Sequence, residues 1–323
     1  MKQRSSNIGG QAVMEGIMMR HKDKYATAVR KPDKEIEVKI EDYKSIIPLD
    51  VIAKTPIIRG VYSFIDSLVI GTKCLMYSAS FIEEDEEEIQ EKAQMTEEER
   101  AKREAKDEKL YNVMMTVTMI ISICMSIGLF ILLPHLAASV LRKLTDSHLI
   151  VSVAESVLRI TIFLVYMLLI SRMKDIQRVF MYHGAEHKCI NCVESGLDLT
   201  VENVMKSSRL HKRCGTSFLL IVMVVSIIFF FFIRVDHAVL RVVIRILLMP
   251  LIAGVSYEFI RLAGKSDNKF VCMLSKPGLA MQKLTTIEPT EDMVEVAIAA
   301  VEAVFDWRKY LEEIREDGQN CCD

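Results

Sequence analysis

The sequence predicts an α-helical integral membrane protein with about four transmembrane helices and a small cytosolic α+β part formed by the two termini. Of its 323 residues, 51% are hydrophobic and 26% are charged, and the mean hydropathy is +0.24. The charged residues are sparse in four apolar stretches, each about as long as a bilayer core is thick. Apolar alternation near the N-terminus and an amphipathic segment near the C-terminus indicate strands and a helix outside the membrane.

Five segments follow from this interpretation. A cytosolic β segment precedes an amphipathic, membrane-associated helix and a charged linker. A transmembrane bundle and a cytosolic helical segment complete the chain, and the bundle contains a cytosolic loop at 180–217 that carries the candidate site. The boundaries are residues 1–50, 51–82, 83–110, 111–262 and 263–323.

The N-terminal segment, residues 7–44, alternates in short apolar and polar steps, and this period of two predicts β-strands. Residues 31–34, Lys-Pro-Asp-Lys, have the composition of a hairpin turn. No apolar stretch follows the basic residues of the first positions, so we expect no cleavable signal peptide. The eight cysteines are scattered, which favours reduced thiols over a disulfide framework.

Residues 57–82 form a predicted helix in which Arg59, Asp66 and Lys73 are spaced by seven. Seven residues are close to two helical turns, so the three charges lie in one stripe. This pattern favours a helix at the membrane surface or one packed against the bundle. The charge run at 83–109 is expected to be a solvated helical arm or linker without a chemical role.

Four apolar stretches are predicted to cross the membrane. The second contains Glu155 and Arg159, which lie four residues apart on one helix face. They form either an ion pair facing the bundle interior or a fraying helix start among the headgroups. The fourth carries Arg245 near its start and Glu258 near its end. The predicted spans are residues 113–133, 149–170, 215–233 and 242–260.

Lysine and arginine residues are concentrated before the first and third spans and after the second and fourth. Because basic loops stay on the cytoplasmic side, both termini and the loop at 180–217 are predicted to be cytoplasmic. The sequence thus predicts a multi-pass protein of the cell membrane whose partner is the lipid bilayer. A net charge of −2 gives no nucleic-acid footprint.

The C-terminal segment is predicted to contain one long amphipathic helix. Residues 276–286 are expected to be irregular or short helical. Beyond them, Glu288-Pro-Thr-Glu-Asp292 has the proline and acidic residues of a helix start, and the helix should run to about Ile314. It could cover the N-terminal strands to complete the α+β part. The final Cys321 and Cys322 are expected to belong to a disordered tail. The apolar face comprises Val294, Ile298, Val301 and Phe305.

The candidate site lies on a helix predicted from about residue 180 and ended by Gly196, since glycine readily takes the left-handed conformation at a helix C-terminus. At 100° per residue, His183, His187 and Glu194 fall within roughly 40° of one another on this helix. Imidazole nitrogen and carboxylate oxygen are common zinc ligands. The shared face therefore predicts a metal site.

The segment that follows supplies further donors. Thr200 is the predicted N-cap of a second helix, with Glu202 in its first turn, that runs to about Arg209. The predicted ligands are His183, His187, Glu194, His211 and Cys214. Their chemistry points to a divalent ion, with zinc favoured. If one coordination position stays open for water, at least two of the five must lie outside the inner shell.

Two other reactive groups are predicted to be structural. Cys189 and Cys192 form a Cys-x-x-Cys pair but point away from the two histidines, so they are expected to pack as small thiols. Glu15 lies between an apolar residue and Gly16 and is expected to be an exposed turn residue; a role as an additional site carboxylate is the minor alternative.

The pattern His183-Gly-Ala-Glu186-His187 matches the H-x-x-E-H motif of inverted zinc peptidases, whose glutamate is a general base. It predicts a metal-dependent membrane enzyme of the hydrolase class with Glu186 as catalytic base. Three alternatives remain: a non-enzymatic scaffold or regulator with a structural or sensory metal site, a transporter of metal or other small ions, and an enzyme with Cys214 as nucleophile beside Arg213.

Several motifs together resemble the YqhQ family, bacterial membrane proteins of unknown function that are classed as predicted metal-dependent enzymes. The resemblance covers nearly the whole chain outside the charged run at 83–109. It implies a membrane protein with a metal site and brings no substrate with it. The motifs are Gly9-Gly-Gln-Ala-Val-Met-Glu-Gly16, Tyr182-His-Gly-Ala-Glu-His187, Thr200-Val-Glu-Asn-Val204, Arg209-Leu-His-Lys-Arg-Cys-Gly-Thr216 and the region 277–286.

Overall fold

The structure, a computed structural model, describes residues 5–43, 55–81, 97–141, 145, 147–211, 213–233, 235, 237–265 and 268–319. The chain forms two compact units: residues 1–82, 168–229 and 247–323 belong to the first, and residues 83–167 and 230–246 to the second. The strands are β1 (Gly9–Val13), β2 (Gly16–His21), β3 (Lys24–Arg30) and β4 (Ile36–Asp42). The helices are α1 (Ile58–Ala79), α2 (Glu97–Ile127), α3 (Leu133–Leu141), α4 (His148–Ile170), α5 (Lys174–Glu194), α6 (Val201–Lys206), α7 (Gly215–Phe232), α8 (Ala238–Leu247), α9 (Met249–Lys265), α10 (Lys269–Thr285), α11 (Glu291–Val304) and α12 (Trp307–Gln319).

The predicted strands form an antiparallel sheet in the order β1–β2–β3–β4. β3 is buried along most of its length, whereas β4 has no fully buried residue. One face of the sheet can therefore pack against the core while the edge strand β4 faces water. The Lys34 amide donates to the Lys31 carbonyl at 2.9 Å, which closes the predicted turn between β3 and β4.

Two helices cover the sheet and build the core of the first unit. α5 packs against β1, and α11 packs against β2, β3 and α5. Tyr182 and Ile190 of α5 and Val294 of α11 meet Ile17 and Met19 of the sheet, and all five are at most 2% exposed. Removal of this apolar surface from water stabilises the unit. The α+β part thus includes the site helix as well as the two termini.

The C-terminal segment agrees with one predicted alternative and differs from the prediction elsewhere. The stretch expected to be irregular or short helical is helical and forms the end of α10, which contains Pro277 within the helix. The single helix predicted to reach Ile314 is two helices, because Phe305 takes extended dihedral angles (φ −141°, ψ 123°) between α11 and α12. The Phe305 side chain is buried in the core, which explains why the chain turns there.

The charged stripe of α1 faces protein. Arg59 pairs with Glu258 of α9, Lys73 contacts Glu41 of β4 at 2.7 Å, and Asp66 is buried. α1 packs closely on α9, and a Cβ at Gly60 would lie 2.8 Å from the Gly254 carbonyl oxygen. Of the two predicted settings for this helix, the structure shows packing against other helices.

Three helical stretches are long and apolar enough to cross a membrane: Val113–Leu141, His148–Ile170 and Gly215–Phe232. A fourth is reached if the bent pair Val239–Leu247 and Met249–Ala263 counts as one span. The first is longer than predicted because one turn of π-helix, Gly128–Leu132, continues directly into α3. Pro250 at the start of α9 explains the break in the fourth, since proline fits only the first turn of a helix.

A buried ion cluster lies within the second unit. The Arg159 guanidinium donates to Glu155 at 2.8 Å and to the Phe130 carbonyl at 3.1 Å, and Arg245 also pairs with Glu155. His135 Nδ1 lies 3.6 Å from the same carboxylate, and all four side chains are at most 7% exposed. Glu155 and Arg159 thus form a buried ion pair, one of the two predicted alternatives.

Some predictions fall outside the described residues. These are residues 83–96 of the charged run, the segment at 44–54 and the terminal Cys321 and Cys322. The later part of the charged run, from Glu97, is helical and continuous with the first apolar stretch in α2.

Candidate metal centre

The site helix α5 ends where the sequence predicts. Gly196 has φ 80°, a left-handed conformation that glycine adopts without a steric penalty. The Leu197 amide donates to the Cys192 carbonyl and the Gly196 amide to the Val193 carbonyl, which together form a Schellman motif. The following helix, α6, is capped as predicted, because the Thr200 hydroxyl accepts from the Asn203 amide, but it ends at Lys206 before reaching Arg209.

Three side chains with metal-ligand chemistry converge beside α5. His183, His187 and Cys214 each offer one donor atom, and these atoms lie within 4.8 Å of one another. Cys214 Sγ is 3.3 Å from His183 Nε2. A tetrahedral zinc with Zn–S near ~2.3 Å and Zn–N near ~2.0 Å requires a separation of about 3.5 Å between such atoms. The donor set and this sulfur–nitrogen separation therefore fit zinc.

Backbone carbonyls orient both imidazoles. His183 Nδ1 lies 2.8 Å from the Thr285 carbonyl, and His187 Nδ1 lies 2.6 Å from the Arg209 carbonyl. A proton on Nδ1 satisfies each contact and leaves Nε2 as the free donor atom, the arrangement usual for metal-bound histidines. Burial lowers the pKa of His187, which keeps this imidazole neutral as a ligand must be.

The loop between α6 and Cys214 is held by side chains rather than by regular secondary structure. Lys188 Nζ donates to the carbonyls of Met205 and Ser207 at 2.7 and 3.0 Å, and Asn191 donates to those of Ser208 and Leu210 at 2.6 and 3.0 Å. Buried backbone groups need such partners. These donors fix the loop that carries Arg209 and Cys214 against the face of α5.

Gln282 of α10 holds the same loop from the other side. Its side chain accepts from the His211 amide at 2.9 Å and donates to the His211 carbonyl at 2.8 Å. Gln282 also donates to the Ser217 hydroxyl at 2.8 Å. The fully buried amide thus ties His211 to the start of α7.

Gly184 permits the approach that brings Thr285 to His183. A Cβ on Gly184 would lie 2.1 Å from the Ile287 carbonyl oxygen, so no larger residue fits without a shift. The Ile287 amide donates to the Phe180 carbonyl at 3.0 Å, which fixes the crossing. The segment after α10 therefore passes directly over the site helix.

Two of the predicted ligands make other contacts. Glu194 accepts from the Ser6 amide at 2.7 Å and the Ser6 hydroxyl at 2.8 Å, and it pairs with Arg213. His211 Nε2 lies 3.5 Å from the same carboxylate. Burial alone would raise the pKa of Glu194, but His211, Arg213 and the Ser6 amide together hold it below the usual value. Glu194 and His211 thus stand outside the grouping of three donor atoms found among the described residues.

Glu186, the predicted base, is buried beside the donor atoms. The residue is 5% exposed, and burial raises the pKa of its carboxyl to about 7, although His183 and the Gly10 amide act in the opposite direction. A Cβ on Gly10 would lie 2.8 Å from Glu186 Cγ, so the glycine lets β1 pass close to the carboxyl.

A cavity of about 750 Å³, here called the polar cavity, opens over the three donors. His183, His187, Cys214 and Glu186 line it, and so does His211. The cationic side chains of Arg20 and Lys22 line this cavity, and Arg213 lines it while paired with Glu194. Among the described lining residues, Glu186 is the one with a carboxyl group. The polar cavity therefore favours an anionic or electron-rich ligand.

The remaining reactive groups have structural environments. Cys189 and Cys192 are fully buried in the core, as predicted, and burial raises the pKa of the Cys192 thiol to about 11. Glu15 (φ 49°) pairs with Arg178 and accepts from the Tyr182 hydroxyl at 3.3 Å. Both carboxylate contacts tie the β1–β2 turn to α5, away from the three donor atoms.

Sequence reasoning did not identify the residues that support the donors. They are Ser6, Lys188, Asn191, Gln282, the carbonyls of Arg209 and Thr285, and Gly184. Lys188 and Asn191 gave a weak signal, since they are polar residues on the part of the helix that packs into the core. Carbonyl partners carry no side-chain signal, so the sequence could not reveal them.

Residues 55–307 match a family described as a protein of unknown function, DUF1385. The uncharacterized protein YqhQ of Bacillus subtilis (strain 168) is 35% identical over 314 residues, which cover 96% of this chain and 95% of that protein. No solved structure gave a significant match. On these matches, the chain belongs to the YqhQ-like family of uncharacterised proteins.

Proposed function

We propose that the protein is a metal-dependent membrane enzyme of the hydrolase class, with zinc bound by His183, His187 and Cys214. The convergence of these three donors on the wall of the polar cavity carries the proposal. Three protein ligands leave one position of a tetrahedral zinc open, which is the pattern of catalytic rather than structural zinc sites.

The proposed roles follow from position. A bound zinc would supply Lewis acidity and acidify a water at its open position. Glu186 would accept the proton from that water, and the support for this role is that Glu186 lines the same cavity one residue before His187. The Thr285 and Arg209 carbonyls hold the two imidazoles in the tautomer that presents Nε2. Arg20 and Lys22 would attract a substrate group that bears negative charge, since the charge of Arg213 is already paired with Glu194.

A closed, non-catalytic site is the second candidate. The His211 ring lies 5.7 Å from the His187 ring and lines the polar cavity, so a His211 side chain that turned from Glu194 to the ion would be a fourth ligand. Four protein ligands would describe a structural or sensory site in a membrane scaffold or regulator. Zinc affinity separates the two, because His211→Ala should weaken binding sharply only in the closed arrangement.

The metal proposal is tested by elemental mass spectrometry of the full chain purified in detergent. We expect about one zinc per chain in the wild type and substantial loss in His183→Ala, His187→Ala and Cys214→Ser. His148→Ala and Cys124→Ser, at exposed positions, are the matched controls and should keep their zinc. Equal zinc in all five variants, or none in the wild type, would exclude the proposal.

The catalytic role of Glu186 has a separate test. Hydrolysis of p-nitrophenyl esters by the zinc-loaded protein should fall by about 100-fold or more in Glu186→Gln at unchanged zinc content, the usual range for loss of a general base. Glu202→Gln, on the exposed side of α6, should retain full activity. Retained activity in Glu186→Gln would remove the assignment.

We further propose that the apolar helices cross the cell membrane with the metal centre on the cytoplasmic side. The supporting observation is the concentration of Lys and Arg around the loop that contains the centre. Alkaline phosphatase, which is active only after export, should be inactive when fused after Leu197 and active when fused after Ser147. The reverse pattern would contradict this orientation.

A further inference from the structure

A second cavity, here called the apolar groove, adjoins the metal centre. Its volume is about 590 Å³, and its walls come from α1, α7 and α9. Phe64 of α1 and Phe218 of α7 form one wall with ring centroids 5.5 Å apart. Among its described lining residues, Arg213 is the one with a charged side chain. The groove is therefore suited to hydrocarbon.

The apolar groove and the polar cavity meet at the metal centre. Gln11, Ser67, Tyr257 and Cys214 line both spaces, so the thiol that supplies the sulfur donor stands at their junction. A ligand with its head at the three donors could therefore place a chain along α1 without leaving the protein surface.

Several apolar side chains of the groove are partly exposed. Leu68 and Leu75 of α1 are 54% and 38% exposed, and Leu219 in the second turn of α7 is 47% exposed. α7 is also one of the helices long and apolar enough to cross a bilayer, so the groove begins where that helix begins. Contact with an aliphatic chain would remove Leu68 and Leu75, which lie outside the proposed spans, from water.

From these features we infer that the substrate is an amphiphile with an anionic head and an aliphatic chain. The head occupies the polar cavity near Arg20, Lys22 and the donor atoms, and the chain lies in the apolar groove. The two halves of the ligand match the two spaces in charge and polarity. This inference rests on the metal site of the proposed function and adds the class of substrate.

Hydroxamates of two chain lengths provide the probe, since the hydroxamate group binds an open metal position. The full-length protein is loaded with Co²⁺ in detergent, and acetohydroxamate and dodecanehydroxamate are titrated while the visible cobalt spectrum is recorded. Leu68→Trp and Leu75→Trp fill the groove. Val69→Trp, on the same helix and 51% exposed but not lining the groove, is the matched control.

We expect Leu68→Trp and Leu75→Trp to weaken dodecanehydroxamate binding by about tenfold or more, the loss that follows when about two methylene groups leave apolar surroundings. Val69→Trp should change it by less than about twofold. Acetohydroxamate should bind all four proteins alike. Because all are compared in the same detergent, partition of the long chain into micelles cancels.

The outcomes separate this inference from the metal proposal. If acetohydroxamate binds, but Leu68→Trp and Leu75→Trp bind dodecanehydroxamate as tightly as Val69→Trp does, the amphiphile inference is wrong and the metal site stands. If neither hydroxamate alters the cobalt spectrum, the open metal position itself is wrong, and the inference falls with it.

Discussion

At the scale of single residues, the candidate centre is defined by which partner each polar atom has. His183 and His187 present Nε2 because carbonyls occupy their Nδ1 atoms. Glu194 is withdrawn from the donors because the Ser6 amide, the Ser6 hydroxyl and Arg213 satisfy its carboxylate. The same residue types thus serve either metal chemistry or loop anchoring, according to their neighbours.

Replacing Glu194 by Gln should lower the thermal stability of the protein and leave its zinc content unchanged. Removing the charge weakens buried bonds to Ser6 and Arg213, and hydrogen bonds to charged groups contribute about 1.5–3 kcal/mol each. Thermal denaturation and elemental mass spectrometry report the two effects, with Glu202→Gln as an exposed control. Loss of zinc at unchanged stability would instead make Glu194 a ligand.

Local periodicity was enough to place His183 and His187 together, since both lie on one helix a turn apart. It also placed Glu194 on that face, but it could not identify the residue that binds the Glu194 carboxylate. Ser6 is 188 residues away in the chain, and nothing in the spacing of the helix reveals it. Residue types within one element were therefore predictable, and partners from distant segments were not.

At the scale of elements, the site depends on a close crossing of two segments. α5 carries the histidines, and the chain after α10 passes over Gly184 so that Thr285 reaches His183. Gln282 of α10 fixes the loop that brings Cys214 into place through its bonds to His211. The geometry of the donors is thus set by how α5 and α10 are joined, not by either helix alone.

Gly184→Ala should weaken zinc binding by about 10- to 100-fold, the range found when groups that orient metal-bound histidines are lost. Its Cβ would meet the Ile287 carbonyl at 2.1 Å and displace the segment that includes Thr285. Zinc affinity is measured by competition with a chelator. Gly9→Ala, where a Cβ would have no neighbour within 4 Å, is the control, and equal affinity in both variants would contradict this account.

Helix ends with their own sequence signals were predictable, as Gly196 and Thr200 show. The break at Phe305 was not, because the apolar spacing of α11 continues through that residue. Pro277 lies within α10, in a stretch that was predicted to be irregular or short helical. At Phe305 tertiary packing overrides the local preference of the chain.

At the scale of the whole molecule, the chain consists of apolar helices and an α+β part. Stretch length and hydropathy predicted the helices that could cross a membrane, because these properties are local sums. The joining of Arg245 to Glu155 was not predictable, since the residues are 90 positions apart. The buried cluster they form with Arg159 and His135 holds separate helices of the second unit together.

Glu155→Gln should lower the thermal midpoint of the detergent-purified protein markedly. Arg159 and Arg245 would stay buried without a carboxylate, and breaking a buried pair in this way costs about 3–5 kcal/mol. Glu202→Gln again serves as the exposed control. A midpoint equal to that of the control would show that the cluster contributes little to stability.

The central claim is that His183, His187 and Cys214 hold one zinc with a position left open. Zinc-edge X-ray absorption of the wild-type protein tests it most directly. The account predicts two imidazole nitrogens near ~2.0 Å, one sulfur near ~2.3 Å and one further light atom that is not imidazole. A shell with three imidazoles, two or more sulfurs, or no sulfur would contradict it.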